Sequence, residues 1–216
     1  MHYTAVTADE FAALPGLDDW RLLTTAIHAQ FRAGSYAAAA GLLPAIAAAA
    51  DAIEHHPDVD LRYPGVVRVV LKTHATGGVT TLDTDLARTI SALAAEAGAT
   101  AQPLVSGVVE VAIDTTDADR IRPFWVAVLG YGVDASGQAV DPMRCSPTVW
   151  FQPMDPARTE RSRLHIDVYV PHDVAAERIA AALAAGGRLV TDRFAPAWWV
   201  LADPDGNEAC ICTWQS

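Results

Sequence analysis

The stretch "DAIEHHPDVDLRY", Asp51–Tyr63, closes a long alanine-rich run with two adjacent histidines and a proline, then turns into β-branched sequence. Upstream of it, from a plausible cap at Ser35, Tyr36, Ala40, Leu43, Ala47, Ala50 and Ile53 recur at helical spacing. That spacing predicts one helix with one apolar stripe, bent at Pro44, which lacks the N–H a helix interior needs. Downstream, "DVDLRYPGVVRVVLKTH" is rich in β-branched residues around a Pro-Gly turn and predicts a hairpin. Helix, histidine pair and hairpin therefore follow in that order. Adjacent side chains at a helix end point in different directions, so one histidine can face a cleft while its neighbour packs nearby. His74, at the far end of the hairpin, can be returned to the same place by the fold.

Further elements extend outward on both sides. Thr7 and Glu10 form a capping box for a short helix stopped by Pro15 and Gly16, and "WRLLTTAIHAQFRAG" reads as two strands, with Ile27, Ala29 and Phe31 alternating. A second long helix begins near Thr80, with Leu82, Leu86, Ile90 and Leu93 inward and Gly98 past its end. The aperiodic segment "GATAQPLVSG", 98–107, marks a domain boundary. Beyond it the order strand, helix, three strands occurs twice, which predicts two paired βαβββ half-domains. The expected domains are 1–98 and 107–216.

Composition bounds the possibilities. The chain has 216 residues, 51% hydrophobic and 19% charged, which suits two globular domains. A net charge of -11 argues against nucleic acid as the partner, because phosphate binding needs a concentrated basic face. No apolar run is long enough to span a membrane, and the amino terminus has no basic-then-apolar leader, so no membrane partner and a cytoplasmic location are expected. The odd cysteines Cys145, Cys210 and Cys212 predict reduced thiols rather than a disulfide framework.

Histidine exchanges a proton near neutral pH, so three converging imidazoles point to proton transfer or to a metal. The pattern Asp51, "HHP", Tyr63, His74 and Asp83, with Trp20, "FRAGSYAAA" and "THATGGVTTLD", resembles the pterin-4a-carbinolamine dehydratases over roughly residues 5–98. The resemblance implies an α+β fold, a four-stranded antiparallel sheet with helices on one face. It implies dehydration of 4a-hydroxytetrahydropterin to quinonoid dihydropterin, without a cofactor. His55, His56 and His74 match the catalytic histidines, and Asp51 and Asp83 their supporting carboxylates. Thr80 and Asp83 also read as a capping box. The interval from Tyr63 to His74 is one residue longer than the family pattern, to be absorbed by a bulge or a looser turn at "YPGV". Association into homo-oligomers is a further implication.

The second half, with "FWVAVLGY" and "DPDGNEACIC", resembles the glyoxalase-like, vicinal-oxygen-chelate superfamily over residues 107–214. This implies a paired βαβββ cup around a small molecule and a possible divalent metal. Glu110, His165 and Glu208 match common ligand positions, with Gln152 near a fourth. A glutamate where iron dioxygenases carry their first histidine counts against oxygen activation. Glu110 reads equally as a salt-bridged strand residue, and "DPDGN" as a turn. Period two puts all three on the less apolar strand face, with Trp150, Trp198 or Trp199 at the rim of the cup. Two other functions compete with the dehydratase reading. One is a metal-dependent lyase, isomerase or resistance-type binding protein on an amino-terminal scaffold. The other is a non-catalytic pterin- or protein-binding module.

Overall fold

A computed structural model describes residues 3–102, 107–154, 164–184, 186–202 and 208–215. The chain divides into two compact units, Met1–Val105 and Ser106–Ser216. The first runs α1 (Ala8–Ala13), β1 (Arg21–Leu23), β2 (Ala26–Arg32), α2 (Tyr36–Ala52), β3 (Asp58–Arg62), β4 (Val66–Leu71), α3 (Thr81–Glu96) and β5 (Thr100–Ala101). It is an α+β unit whose antiparallel sheet has the order β1-β2-β4-β3. Residues 100–101, inside the segment read as aperiodic, add a short pairing to β2 opposite Phe31 and Arg32.

Alternation in the strands decides which face is covered. Ile27 pairs with Leu71, Ala29 with Val69 and Phe31 with Val67, and all six are fully buried. Leu42 and Ile46 of α2, and Leu86 and Ile90 of α3, join that core. Trp20 meets Phe31 edge to face at 6.2 Å and donates its indole N–H to Ser91 Oγ at 3.0 Å.

The helix α2 corrects one expectation. Its buried residues are Ala39, Leu42, Ile46 and Ala50, whereas Tyr36 is 51% exposed and Ile53 38%. Nearly every position of this helix is apolar, so more than one stripe satisfies the helical period. The largest branched side chains that fit the sheet decide between them. The helix continues across Pro44, which lies on the exposed side, where the carbonyl left without a helical donor can meet water. In α3, Leu86 and Ile90 are buried while Leu82 and Leu93 are only half-buried.

The hairpin keeps an unbroken register from Asp58↔Val70 to Arg62↔Val66. The paired strands therefore carry no bulge, and a three-residue turn, Tyr63–Gly65, joins them. At Gly65, φ is +152° and a Cβ would lie 2.8 Å from the Ser35 carbonyl oxygen, so the turn packs against the start of α2 only because no side chain is there.

The second unit contains β6 (Val108–Thr115), α4 (Ala118–Leu129), β7 (Gly132–Val133), β8 (Ala139–Val140) and β9 (Thr148–Pro153). The pattern repeats as β10 (Leu164–Tyr169), a 3-10 turn (His172–Val174), α5 (Ala175–Ala184), β11 (Arg188–Thr191), β12 (Trp198–Ala202) and β13 (Glu208–Cys212). The eight strands form one sheet in the order β11-β12-β13-β10-β6-β9-β8-β7. Each half starts with a strand that pairs in parallel with its own last strand, and the two first strands, β6 and β10, join antiparallel. The repeat thus closes into a pseudo-symmetric pair. The turn expected at "DPDGN", 203–207, lies outside the described residues.

Helix α4 packs over Ile113, Val149, Val111 and Phe151, and α5 over Leu201, Ile211, Val168 and Trp199. Trp199 therefore belongs to the helix-covered face and not to the rim of the cup. One residue along a strand reverses the face, and Trp198 takes the cup side. No helix among the described residues is long and apolar enough to cross a membrane. Cys145 is exposed, Cys210 and Cys212 are buried, and all three are free thiols.

Candidate functional site

The end of α2 and the start of α3 build the first site. The chain leaves α2 through Glu54, whose φ is +50°, and delivers His55 inward and His56 outward. His55 is 8% exposed and places Nε2 2.7 Å from Asp83 Oδ1. Asp83 is fully buried at the third position of α3, where its other oxygen accepts from the Thr80 backbone N–H at 2.7 Å and from Thr73 Oγ1 at 2.7 Å. Thr73 and Thr80 hydroxyls also lie 2.7 Å apart. The cap and the histidine partner are thus one residue: Asp83 closes the capping box with Thr80 and holds His55.

A carboxylate partner requires a proton on Nε2, which leaves Nδ1 as the ring atom that can take or give one. His56 Nε2 is 2.9 Å from Asp51 Oδ1, and both of those side chains are exposed. His74 follows Thr73 directly and is exposed in the turn beyond β4, its carbonyl accepting from the Gly77 N–H at 3.3 Å. The structure pairs His55 with Asp83 and His56 with Asp51, and sets His74 one residue from a Thr73 that holds the same carboxylate. Thr73 was missed in the sequence reading; its only signal was its place beside His74 in "KTHATGG".

The second unit carries a cavity of ≈ 680 Å³ on the face of its sheet opposite α4 and α5. His165, Glu208 and Gln152 line it together with Asp114, Trp150, Asp167, Trp198 and Cys210. Glu110 shares that face by register, opposite Asp167 on one side and Thr148 on the other, but is not among the lining residues. Among the described residues, the metal-ligating side chains that converge are His165, Asp167 and Cys210, with ligand atoms within 4.8 Å of one another. The set Glu110, His165 and Glu208 does not converge in this way. Asp167 shares the alternation of His165, a signal the sequence already carried.

His165, Asp167 and Cys210 could hold a divalent ion through one nitrogen, one oxygen and one sulfur. His165 Nε2 lies 3.3 Å from Asp167 Oδ1, and Nδ1 lies 3.8 Å from Asp114 Oδ1. The hydrogen bond to Asp167 is the main cause that raises the His165 pKa, with the charges of Asp167 and Asp114 adding to it. The hydrogen bond with Cys210 and then burial push the Cys212 thiol well above its usual range, and burial does the same to the Tyr169 hydroxyl. Both stay neutral. Asp167 Oδ2 accepts from Trp150 Nε1 at 3.1 Å, and Trp150 stands edge-on to His165 with centroids 6.1 Å apart.

Residues 4–93 match the family described as pterin 4 alpha carbinolamine dehydratase. A protein of Nocardia farcinica named "Putative pterin-4-alpha-carbinolamine dehydratase" is 41% identical over 93 residues, 42% of this chain and 97% of its own length. The chain belongs to the pterin-4a-carbinolamine dehydratase family. A Mycobacterium avium relative of this family with the same name is 36% identical over 91 residues, covering 41% of this chain and 96% of its own. A crystal structure titled transcriptional coactivator/pterin dehydratase, from Brucella melitensis, is 33% identical with a TM-score of 0.39, covering 42% of this chain and 99% of that one. Beyond the dehydratase-family unit, residues 110–212 match the glyoxalase-like domain. A glyoxalase/bleomycin resistance protein/dioxygenase superfamily member from Vibrio splendidus is 16% identical with a TM-score of 0.32, over 50% of this chain and 99% of that one.

Proposed function

We propose that the dehydratase-family unit, residues 1–98, removes water from 4a-hydroxytetrahydropterin to give quinonoid dihydropterin by histidine acid-base catalysis. The observation that carries this reading is the buried His55–Asp83 pair, anchored by Thr73 and Thr80 and followed at once by His74. A buried polar network with every partner in place holds an imidazole in one orientation, which proton transfer requires.

In the proposed reaction one imidazolium gives its proton to the 4a-hydroxyl. The C4a–O bond breaks and water leaves. A neutral imidazole takes the proton from a ring nitrogen, whose electron pair forms the new C=N bond. No electrons are exchanged with an external acceptor. His55 and His74 are the proposed acid and base, Asp83 holds the His55 tautomer, and His56 with Asp51 binds and orients the substrate at the exposed side.

We assign residues 107–216 to a small-molecule role. The possible divalent ion expected at Glu110, His165 and Glu208 has His165, Asp167 and Cys210 as its converging candidate ligands. We also propose a homo-oligomer. Tyr63, 90% exposed, and Tyr36, 51% exposed, flank the Gly65–Ser35 contact and offer an apolar patch for a second copy. Light scattering at micromolar concentration tests it, and a monomer mass would refute it.

The deciding experiment adds the purified full chain to freshly generated 4a-hydroxytetrahydropterin, with and without a chelator. Acceleration that persists with the chelator supports the reading. The uncatalysed rate in both arms would overturn it.

A further inference from the structure

The cup of the second unit has a chemistry of its own. Its ≈ 680 Å³ cavity lies within the ~300–1,000 Å³ usual for small-molecule sites. On one side, three flat groups stand in a row: the Arg193 guanidinium 4.3 Å from the Phe194 ring, and Phe194 stacked on Trp198 at 4.4 Å with planes 20° apart. Trp198 remains 37% exposed in that wall. An indole left partly in water is apolar area that a flat ring laid upon it would cover. Farther along the same face, the Trp150 indole is pinned by its hydrogen bond to Asp167.

Carboxylates dominate the rest of the lining. Asp114 and Asp167 flank His165, and Glu208 stands at the start of β13. These three acids face one imidazole and one guanidinium, so the acids outnumber the cations even with the imidazole charged. Such a lining repels aromatic acids and phosphates. It accepts hydrogen bonds: each carboxylate oxygen has two lone pairs, so Asp167, already facing His165 and taking the Trp150 N–H, keeps sites for a ligand's N–H donors, as does Glu208.

We propose that this cup binds a planar nitrogen heterocycle with an N–H-donating edge, of the aminopyrimidine or aminopteridine class, its ring against Trp198 and its donors toward the Asp167 side. Neither a metal ion nor a covalent step is involved. The proposal rests on the second unit's own side chains and is independent of the dehydratase reading.

Fully oxidised pterin is the probe, titrated into the full chain and followed by tryptophan and pterin fluorescence. The variants are Asp167→Asn, Trp198→Ala and His56→Ala, each checked for native circular dichroism. The wild type is expected to bind two pterins per chain, one site weakening in His56→Ala and the other not. Asp167→Asn and Trp198→Ala should each weaken that other site about tenfold or more, the scale of one lost polar or stacking contact. Trp198→Ala removes a rim side chain and keeps the test alive should Asp167→Asn fail to fold. A single site that ignores His56→Ala and weakens with Trp198→Ala supports the cup while removing the reading of the first unit. A single site that weakens in His56→Ala and ignores Trp198→Ala overturns the cup proposal. So does equal cup affinity for 2-naphthoate, an aromatic acid of similar breadth, or pterin binding that appears only after zinc is added.

Discussion

His55 and His165 are both imidazoles held by an aspartate, yet their surroundings set them different tasks. Asp83 sits in the first turn of α3, where backbone N–H groups and the helix dipole compensate its charge, and its second oxygen is occupied by Thr73 and Thr80. One histidine meets one compensated carboxylate. Asp167 lies on a sheet, with Asp114 on the other side of the same imidazole and Glu110 directly across the ladder. Asp167 meets His165 on one oxygen and the Trp150 indole N–H on the other. The first arrangement leaves Nδ1 of His55 outside the carboxylate contact; the second sets one imidazole between two carboxylates and makes an acidic lining.

The largest expected effect breaks the first pair. Asp83→Ala leaves the Thr80 N–H, the Thr73 hydroxyl and His55 without their acceptor. At ~1–3 kcal/mol for each buried unsatisfied group, the loss is a large share of a small unit's stability. Chemical denaturation reads it, and a midpoint unchanged from wild type would mean the network is not buried as described. The corresponding change in the cup, Asp167→Asn, is expected to leave dehydration of 4a-hydroxytetrahydropterin unchanged, which sharpens the contrast.

Next in size are the proposed proton carriers. His55→Ala or His74→Ala should each lower turnover by ~100-fold or more, the scale for losing a positioned acid or base. Full activity in both folded variants would remove them from the mechanism. His56→Ala should instead raise KM with a smaller change in kcat, since its pair with Asp51 is exposed and an exposed ion pair contributes only ~0–1 kcal/mol.

A third histidine provides a titration without catalysis. Burial, with Arg68 nearby, pushes His28 down from 6.5 to about 3, so it is neutral in the fold at every pH above that. Between those values the unfolded chain binds the additional proton. Stability is therefore full above about 6.5 and falls as pH drops toward 3, by at most ~1.4 kcal/mol per pH unit from this residue. His28→Gln should flatten that part of the profile of unfolding midpoint against pH. An identical slope in the variant would assign the acid sensitivity elsewhere.

The histidine motif and the element order were legible because both are local. The αβ repeat of the second unit, the cap residues Thr7, Ser35 and Thr80, and the face shared by His165 and Asp167 all follow from spacing along the chain. What spacing leaves open is any choice among equivalent faces. In α2 the alanines permit several stripes, and contact with the sheet selected Ala39, Leu42, Ile46 and Ala50. Trp198 and Trp199 were interchangeable as rim residues until the β12 register put one in the cup and the other beneath α5.

By itself, then, the sequence determined where helices and strands begin, which strand residues alternate, and that Asp83 caps a helix. Those properties depend on backbone hydrogen bonds and side-chain periods a few residues long. Only the tertiary structure decided that the same Asp83 reaches His55, 28 positions away, and that His165 meets Asp167, Asp114 and Cys210 rather than Glu110 and Glu208. The reason is physical: a pairing between distant side chains is set by strand register and by packing of whole elements, and shifts of a few ångströms in either change which atoms meet.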